Sequence, residues 1–224
     1  MSRATILFKL ATRGRAAQFK QCILNVFNNI SEEGKYIILV SADIDDDTMY
    51  NDDIHKFCLN KNIQIKFTKN KTKIEAINND IKLIQGWDIL VNLSDDQRFT
   101  KHEFDEIIRN DFKMLCPDFD GLLYYPDKNN ASVMTMSVIG RKYYERDNYI
   151  YNPEYYSTHC DSEAKDVAII RKKLFESSFT IFEHLHPNYT KGEMDQTYIR
   201  NAKYETYDES TYQRRKKANF HLEF

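Results

Sequence analysis

Glycine and proline are scarce in this sequence, with 6 and 4 residues among 224. Chains that stay disordered are usually poor in aromatic residues and rich in residues such as proline and glycine. This chain has 14 Phe and 15 Tyr, and 42% of its residues are hydrophobic. We therefore expect a folded globular protein, and the length suits one domain with a substantial core.

Net charge, long apolar runs and paired cysteines are also lacking. The formal net charge of −2 predicts no bulk attraction to nucleic acid or to anionic membranes. No segment reaches the length of a membrane span, and none is typical of a signal peptide. The cysteines are scattered and form no CxxC pair, which argues against a structural zinc site. We expect a cytoplasmic protein whose thiols are free; they are Cys22, Cys58, Cys116 and Cys160.

Apolar segments of strand length alternate with segments of helical periodicity through the first hundred residues. The candidate strands are residues 5–10, 36–40, 63–67 and 87–93. The segments between them repeat apolar residues at helical spacing, and the third such segment is predicted to be one helix from Ile74 to Ile84. This alternation predicts βαβ units and a mainly parallel sheet that is flanked by helices.

The pattern changes after residue 100. Residues 100–103 are typical of a capping box that opens a helix. Residues 122–125 and 133–140 predict two strands of an antiparallel extension, and 180–185 predict a last short strand. A helix is predicted to open at Asp161 and to include Leu174, and a charged helical tail is predicted from about Asp195.

Each of the first four strands leads into a polar loop. The loops are residues 12–15 (TRGR), 43–47 (DIDDD), 69–73 (KNKTK) and 94–97 (SDDQ). Because the carboxyl ends of parallel strands meet at one edge of a sheet, the loops predict a nucleotide-binding cleft. Neither GxGxxG nor GxxxxGK[ST] occurs, so neither a dinucleotide-binding motif nor a P-loop is supported. Asp95 and Asp96 suit a divalent cation, although a polar turn is the alternative interpretation.

The ordered set of these loops resembles the GT-A fold of nucleotide-sugar glycosyltransferases, closest to family 2. Residues 140–146 (GRKYYER), 149–163 (YIYNPEYYSTHCDSE) and 184–187 (HLHP) resemble small glycosyltransferase-like proteins of bacteriophages. The resemblance implies a single α/β domain of the GT-A, Rossmann-like type, with a mixed, mainly parallel sheet, a small antiparallel extension and a helical tail. Residues 1–100 would bind the nucleotide sugar, 101–190 would hold the acceptor and the catalytic groups, and 191–224 would form the tail.

The resemblance also implies an activity, which is inverting transfer of a glycosyl unit from a nucleotide diphosphate sugar, with a UDP-sugar as the favoured donor. The cofactor would be Mn²⁺ or Mg²⁺, held by Asp96 together with His186, the preferred histidine, or His184. Asp161 or Glu163 would accept the proton of the acceptor, and the N-terminus of its helix would lower its pKa. The residues that match donor-binding positions are Thr12, Arg13, Arg15, Asp43, Asp45, Lys73 and Asp95.

Several alternatives stay open at this point. Asp161 could be only a helix cap, and either histidine could be structural. The acceptor could be a glycan or a modified base of phage DNA, in the host cytoplasm. The basic run at residues 214–217 (RRKK) could contact nucleic-acid phosphates, although such a run is most often a solvated helix face. A catalytically silent GT-A-like binding module and a nucleotidyltransferase are the competing functions.

Overall fold

The structure, a computed structural model, describes residues 3–129, 133–190 and 194–222. The predicted start of the tail at residue 191 lies outside these ranges. The strands are β1 (Ile6–Thr12), β2 (Tyr36–Asp43), β3 (Gln64–Thr68), β4 (Ile89–Leu93), β5 (Gln97–Phe99), β6 (Leu122–Tyr124), β7 (Ser137–Gly140), β8 (Leu174–Glu176) and β9 (Phe182–His184). The α-helices are α1 (Ala16–Asn29), α2 (Asp52–Asn60), α3 (Lys73–Asn78), α4 (Phe104–Leu115), α5 (Arg141–Tyr144), α6 (Cys160–Ile170), α7 (Pro187–Thr190), α8 (Gln196–Ala202) and α9 (Glu205–Lys217).

Seven strands form the main sheet, in the order β3-β2-β1-β4-β7-β6-β8. The first four strands of the chain pair in parallel, as do β6 and β8, whereas β7 is antiparallel to both of its neighbours. Strands β1 and β4 are apolar and buried along almost their whole length, because helices cover both faces of the sheet. The predicted mixed, mainly parallel sheet with an antiparallel extension is therefore confirmed.

A second, two-stranded sheet consists of β5 and β9. The two strands are antiparallel, and Gln97 pairs with His184. The pairing places the segment of the late histidines beside the Asp95–Asp96 pair, and the backbone N–H of Leu185 donates to the Asp96 carbonyl at 2.8 Å.

The predicted helix from Ile74 to Ile84 is wrong in its length. Helix α3 ends at Asn78, and a separate 3₁₀ turn spans Ile81–Leu83. Asp80 lies between them in the left-handed region, with φ 69°. Its carboxylate accepts a hydrogen bond from Ser41 Oγ at 2.6 Å, so a bond to β2 replaces the continuation of the helix.

Two further predictions of local structure are wrong. Glu103 is not the third helical residue of a capping box: it is itself the N-cap of α4, has φ 53° and makes no side-chain cap bond. Leu174 does not belong to α6 but opens β8, which pairs with β6. Strands β5 and β8 were not predicted from the sequence.

The predicted helical tail is confirmed in the part of the chain that the structure describes. Asp195 caps α8, and α9 packs against α6. All four cysteines are buried free thiols, as expected. Within the described ranges, no helix is both long enough and apolar enough to span a bilayer.

Candidate functional site

A cleft of about 680 Å³ lies at the carboxyl ends of β1, β2 and β4. Its walls are the loops that follow these strands, the N-termini of α3 and α6, and part of α8. Polar loops gather here because parallel strands bring their carboxyl ends to one edge. Eleven of the twelve predicted site residues line it, namely Thr12, Arg13, Arg15, Asp43, Asp45, Lys73, Asp95, Asp96, Asp161, His184 and His186.

Asp95 is buried and has a partner on each carboxylate oxygen. Thr12 Oγ1 donates to Asp95 Oδ2 at 2.8 Å, and Arg15 Nη1 donates to Asp95 Oδ1 at 2.9 Å. Burial raises the pKa of Asp95, the neighbouring Asp96 raises it further, and Arg15 opposes both effects. Asp95 therefore ties the loop after β1 to the end of β4.

Asp96 uses its two oxygens differently. Tyr198 Oη donates to Asp96 Oδ2 at 2.6 Å, and His184 Nε2 lies 3.2 Å from the same oxygen. Asp96 Oδ1 is buried and has no hydrogen-bond partner among the described residues. Burial alone would raise the pKa of Asp96, but the side chains of His184, Ser94 and Tyr198 outweigh it and hold the pKa below its usual range. Asp96 is thus an ionised carboxylate with one open oxygen.

Arg15 connects the two ends of the chain at this site. Its side chain is buried, and Nε and Nη2 donate to the two oxygens of Asp195 at 2.8 and 2.9 Å. Its Nη1 lies 2.9 Å from Asp95 and 3.6 Å from Asp96, and its guanidinium lies 4.0 Å above the ring of Tyr198. Three carboxylates therefore surround one guanidinium, and the site keeps an excess of negative charge.

The acid after β2 is fixed by neighbouring loops. Arg13 Nη1 donates to Asp43 Oδ2 at 2.7 Å and also contacts the exposed Asp45. Asn70 Nδ2 donates to the other oxygen of Asp43 at 2.7 Å. The predicted nucleoside end of the cleft is thus a preformed group of an acid, a guanidinium and an amide.

Asp161 lies across the cleft, in the first turn of α6. The N-cap of this helix is His159, with φ 57°, so the interpretation of Asp161 as the cap is wrong. Burial raises the pKa of Asp161, although the backbone N–H of Ser162 and the charge of Lys73 act in the opposite direction. The expected lowering of its pKa by the helix N-terminus is therefore outweighed.

Glu163 is the one predicted site residue that does not line the cleft. Arg215 binds it through two hydrogen bonds, of 2.7 and 2.9 Å, and Tyr155 Oη donates to it at 2.8 Å. Glu163, Arg215 and Tyr155 are all buried, and the ion pair joins α6 to α9. The carboxylate of Glu163 is occupied by these partners.

The two histidines line the cleft on the side of Asp96. His184 contacts Asp96 directly, and the ring of His186 lies 5.6 Å from that of His184 and 4.5 Å from that of Tyr198. Burial lowers the pKa of His186, and the proximity of His184 lowers it further. His184 is therefore nearer to the carboxylate than His186.

Four buried polar atoms that line the cleft have no hydrogen-bond partner among the described residues. They are Asn92 Oδ1, Asp96 Oδ1, Ser157 Oγ and His184 Nδ1. Leaving such a group unpaired costs about 1–3 kcal/mol in a folded protein. Unpaired groups concentrated in one cavity indicate a surface that is completed by a polar ligand. Asn92 and Ser157 were not among the predicted site residues.

The donor atoms fit a divalent cation that takes few ligands from the protein. Among the residues the structure describes, no three His, Cys, Asp or Glu side chains stand together as a complete metal-binding set. Asp96 Oδ1 supplies one unpaired, negatively charged oxygen, and His184 Nδ1 is an unpaired nitrogen on the residue that contacts Asp96 through Nε2. Mg²⁺ at nucleotide sites uses one or two carboxylates and takes its other ligands from phosphates and water. Mn²⁺ favours similar oxygen ligands.

The basic run at residues 214–217 is not simply a solvated face. Arg214 and Arg215 both pair with Glu154, and Arg215 also pairs with Glu163. Lys216 lies 2.9 Å from Asp166. These charges are used inside the chain, which weakens the argument for a nucleic-acid contact here.

Comparison with known proteins shows the fold. No protein-family model and no curated protein sequence matches the chain. The mannosyltransferase PcManGT from Pyrobaculum calidifontis, in complex with GDP-Man and Mn²⁺, is similar in structure: the TM-score is 0.60 at 12% identity, over 80% of this chain and 56% of that one. S. aureus TarS 1-349 in complex with UDP-GlcNAc gives a TM-score of 0.61 at 10% identity, over 88% of this chain and 64% of that one.

A further S. aureus TarS structure gives a TM-score of 0.63 at 12% identity, over 82% of this chain and 37% of that one. The chain therefore spans less than two thirds of the length of each of these proteins. Identities this low establish the architecture alone. The likeness to these structures confirms the predicted fold: the chain has the GT-A architecture.

Proposed function

We propose that this protein transfers a glycosyl unit from a nucleotide diphosphate sugar to an acceptor hydroxyl, with inversion and with the help of Mn²⁺ or Mg²⁺. The observation that carries the proposal is the pairing, across one cleft, of an ionised carboxylate with an open oxygen, Asp96, and a second carboxylate of raised pKa, Asp161. The similarity in fold to a mannosyltransferase that binds GDP-Man and Mn²⁺ supports it.

The donor would lie along the strand ends. Asp43, held by Arg13 and Asn70, offers carboxylate oxygens to the hydroxyls of a ribose or the N–H groups of a base. Lys73 lines the same cleft and would attract the diphosphate. A divalent cation at Asp96, with His184 as a further ligand, would stabilise negative charge on the leaving diphosphate.

Asp161 would act as the base. Its carboxylate accepts the proton of the acceptor hydroxyl while that oxygen forms a bond to the anomeric carbon and the bond to the diphosphate breaks. A base is most effective when its pKa is near the working pH, and burial moves the pKa of Asp161 upward, in that direction. Glu163 is not proposed for this role, because its carboxylate is bound by Arg215 and Tyr155.

Two variants test these assignments separately. Asp96→Asn removes the charge that attracts the cation, so it should abolish the Mn²⁺-dependent part of nucleotide binding, as measured by calorimetry with UDP and GDP. Asp161→Asn should keep this binding and lower sugar transfer, or hydrolysis of the donor, by about 10²-fold or more. Asp53→Asn, in an exposed ion pair with Lys20, is the matched control and should change neither quantity.

The possible outcomes distinguish an enzyme from a catalytically silent binding module. Full turnover by Asp161→Asn would contradict its role as the base. Nucleotide binding without turnover of any donor would favour a catalytically silent binding module. A wild-type protein that binds neither nucleotide with Mn²⁺ present would contradict both.

A further inference from the structure

Helix α8 is connected to the Asp95–Asp96 pair through its N-cap residue, Asp195, which binds Arg15. One oxygen of Asp195 accepts the backbone N–H groups of Thr197 and Tyr198 at 2.9 and 3.0 Å, which caps the helix. The same carboxylate binds Arg15 through both oxygens. The start of α8 is thus tied to the loop after β1, and Thr197 Oγ1 adds a bond to the Arg13 carbonyl at 3.0 Å.

Tyr198 makes the second connection. Its hydroxyl donates to Asp96 Oδ2 at 2.6 Å, and its ring packs against the Arg15 guanidinium and the His186 ring. Tyr198 and His184 share one oxygen of Asp96, and the other oxygen, Oδ1, has no hydrogen-bond partner among the described residues.

This arrangement fixes the direction in which Asp96 presents its charge. A carboxylate without such partners rotates and samples several orientations, whereas partners behind a metal ligand orient it and raise its affinity for the ion. Asp195 acts on the Asp96 carboxylate indirectly, through Arg15. By binding Nε and Nη2 it holds Arg15 so that Nη1 stays 3.6 Å from Asp96, and a guanidinium free to move closer would compete with a cation.

We propose that Tyr198 and Asp195 are positioning residues for the cation site, and that docking of α8 and binding of a divalent cation at Asp96 favour each other. The inference rests on the proposed function, because it assumes that a cation binds at Asp96. Coupling between two binding events is reciprocal. The cation should therefore stabilise docked α8 as much as docked α8 strengthens cation binding.

Mn²⁺ alone is the probe, and its dissociation constant is measured by the electron paramagnetic resonance of free Mn²⁺. Tyr198→Phe keeps the ring and removes only the hydroxyl, and we expect Mn²⁺ to bind about 10–100-fold more weakly. Asp195→Asn keeps a residue that caps helices well but loses the charge that holds Arg15, and it should weaken binding in the same direction. The controls are Tyr50→Phe, on an exposed ring, and Asp53→Asn.

Hydrogen exchange of the α8 amides measures the reverse effect. In the wild type, Mn²⁺ should slow exchange of these amides, and in Tyr198→Phe this protection should be lost. Circular dichroism and thermal unfolding report whether each variant is folded. A structural role alone would lower the stability of α8 without changing the Mn²⁺ affinity of the remaining folded protein.

The inference is overturned if both folded variants bind Mn²⁺ within twofold of the wild type, or if Mn²⁺ leaves α8 exchange unchanged. Tighter binding by Tyr198→Phe would also overturn it, since the hydroxyl would then compete with the cation. Such results, in a wild type that transfers sugar with Mn²⁺ present, leave the proposed function intact. A wild type that neither binds Mn²⁺ nor turns over a nucleotide sugar overturns both.

Discussion

Lys9 is a fully buried amine at the centre of β1. It contacts Ser41 Oγ, which in turn donates to Asp80 at 2.6 Å. Burial lowers the pKa of Lys9 to about 7, although the charge of Asp80 acts in the opposite direction. An unfolded chain would hold this proton up to a pH of about 10. The proton affinity of one side chain therefore makes the stability of the fold depend on pH.

Replacing Lys9 with Met should reveal this dependence. Below pH 7 the amine is protonated in both states, so the wild type bears the full cost of a buried charge. Between about pH 7 and 10 only the unfolded chain binds the proton, and wild-type stability rises by up to about 1.4 kcal/mol per pH unit from this group. The stability of Lys9→Met relative to the wild type should therefore fall as the pH rises. Urea unfolding at pH 6.5, 8 and 9.5 measures the difference, and parallel profiles would refute it.

Which residues reach the cleft was largely predictable, but their partners were not. Asp95 and Asp96 follow a buried parallel strand, and that alone places them at the ligand edge. Their different behaviour depends on Tyr198, which is 102 residues from Asp96 in the sequence and lies in a charged segment without apolar periodicity. Only one of Asp161 and Glu163 could be expected to face the cleft, since residues two apart on a helix point about 200° away from each other, and the structure places Asp161 there.

At the scale of elements, α9 holds the segment that leads to Asp161. Asp208, on α9, is fully buried and accepts the backbone N–H groups of Tyr156, Ser157 and Thr158 at 2.9, 2.8 and 2.8 Å. Arg215, two turns later, binds Glu163 on α6. The tail therefore holds the segment that carries Asp161, the proposed base, and Glu163 takes part in this connection through Arg215.

Substituting Asp208 with Asn should loosen this connection. An amide has only one acceptor oxygen, so at least one buried N–H of the loop loses its partner, at a cost of about 1–3 kcal/mol. We expect lower stability in urea unfolding and slower sugar transfer, with nucleotide affinity close to that of the wild type. Glu209→Gln, on the exposed side of the same helix, is the matched control. A large loss of nucleotide affinity would contradict the assignment of α9 to the base side.

The pairing of β5 with β9 shows where sequence patterns stop being informative. Each strand has three residues, and the pairing joins Gln97 to His184 across a long separation in the chain. A strand was predicted at residues 180–185, but no local pattern shows which distant segment it pairs with. The position of His184 beside Asp96 follows from this pairing, and the sequence, which favoured His186, could not show it.

At the scale of the whole molecule, the sheet separates two apolar cores, and the cleft opens at its edge. The alternation of strands and helices was sufficient to predict this architecture. It could not predict that the tail would reach both walls of the cleft, with α8 on Asp96 and α9 behind Asp161. The tail is polar and charged. Specific hydrogen bonds and ion pairs, rather than an apolar stripe, hold it in position.

Because the cleft joins segments from both ends of the chain, a ligand that binds it should stabilise the whole fold. A ligand at about 100 times its dissociation constant adds about 2.7 kcal/mol, which raises the melting temperature of a protein of this size by about 5–10 °C. We expect UDP or GDP to produce this shift with Mn²⁺ and a much smaller one with EDTA. Asp96→Asn should lose the difference between the two conditions, whereas Asp43→Asn should weaken the response to the nucleotide but keep that to Mn²⁺ alone. For each nucleotide, a shift in EDTA as large as the shift with Mn²⁺ would show that binding does not use a cation at Asp96. If UDP and GDP differ, the base of the nucleotide with the larger shift identifies the donor class.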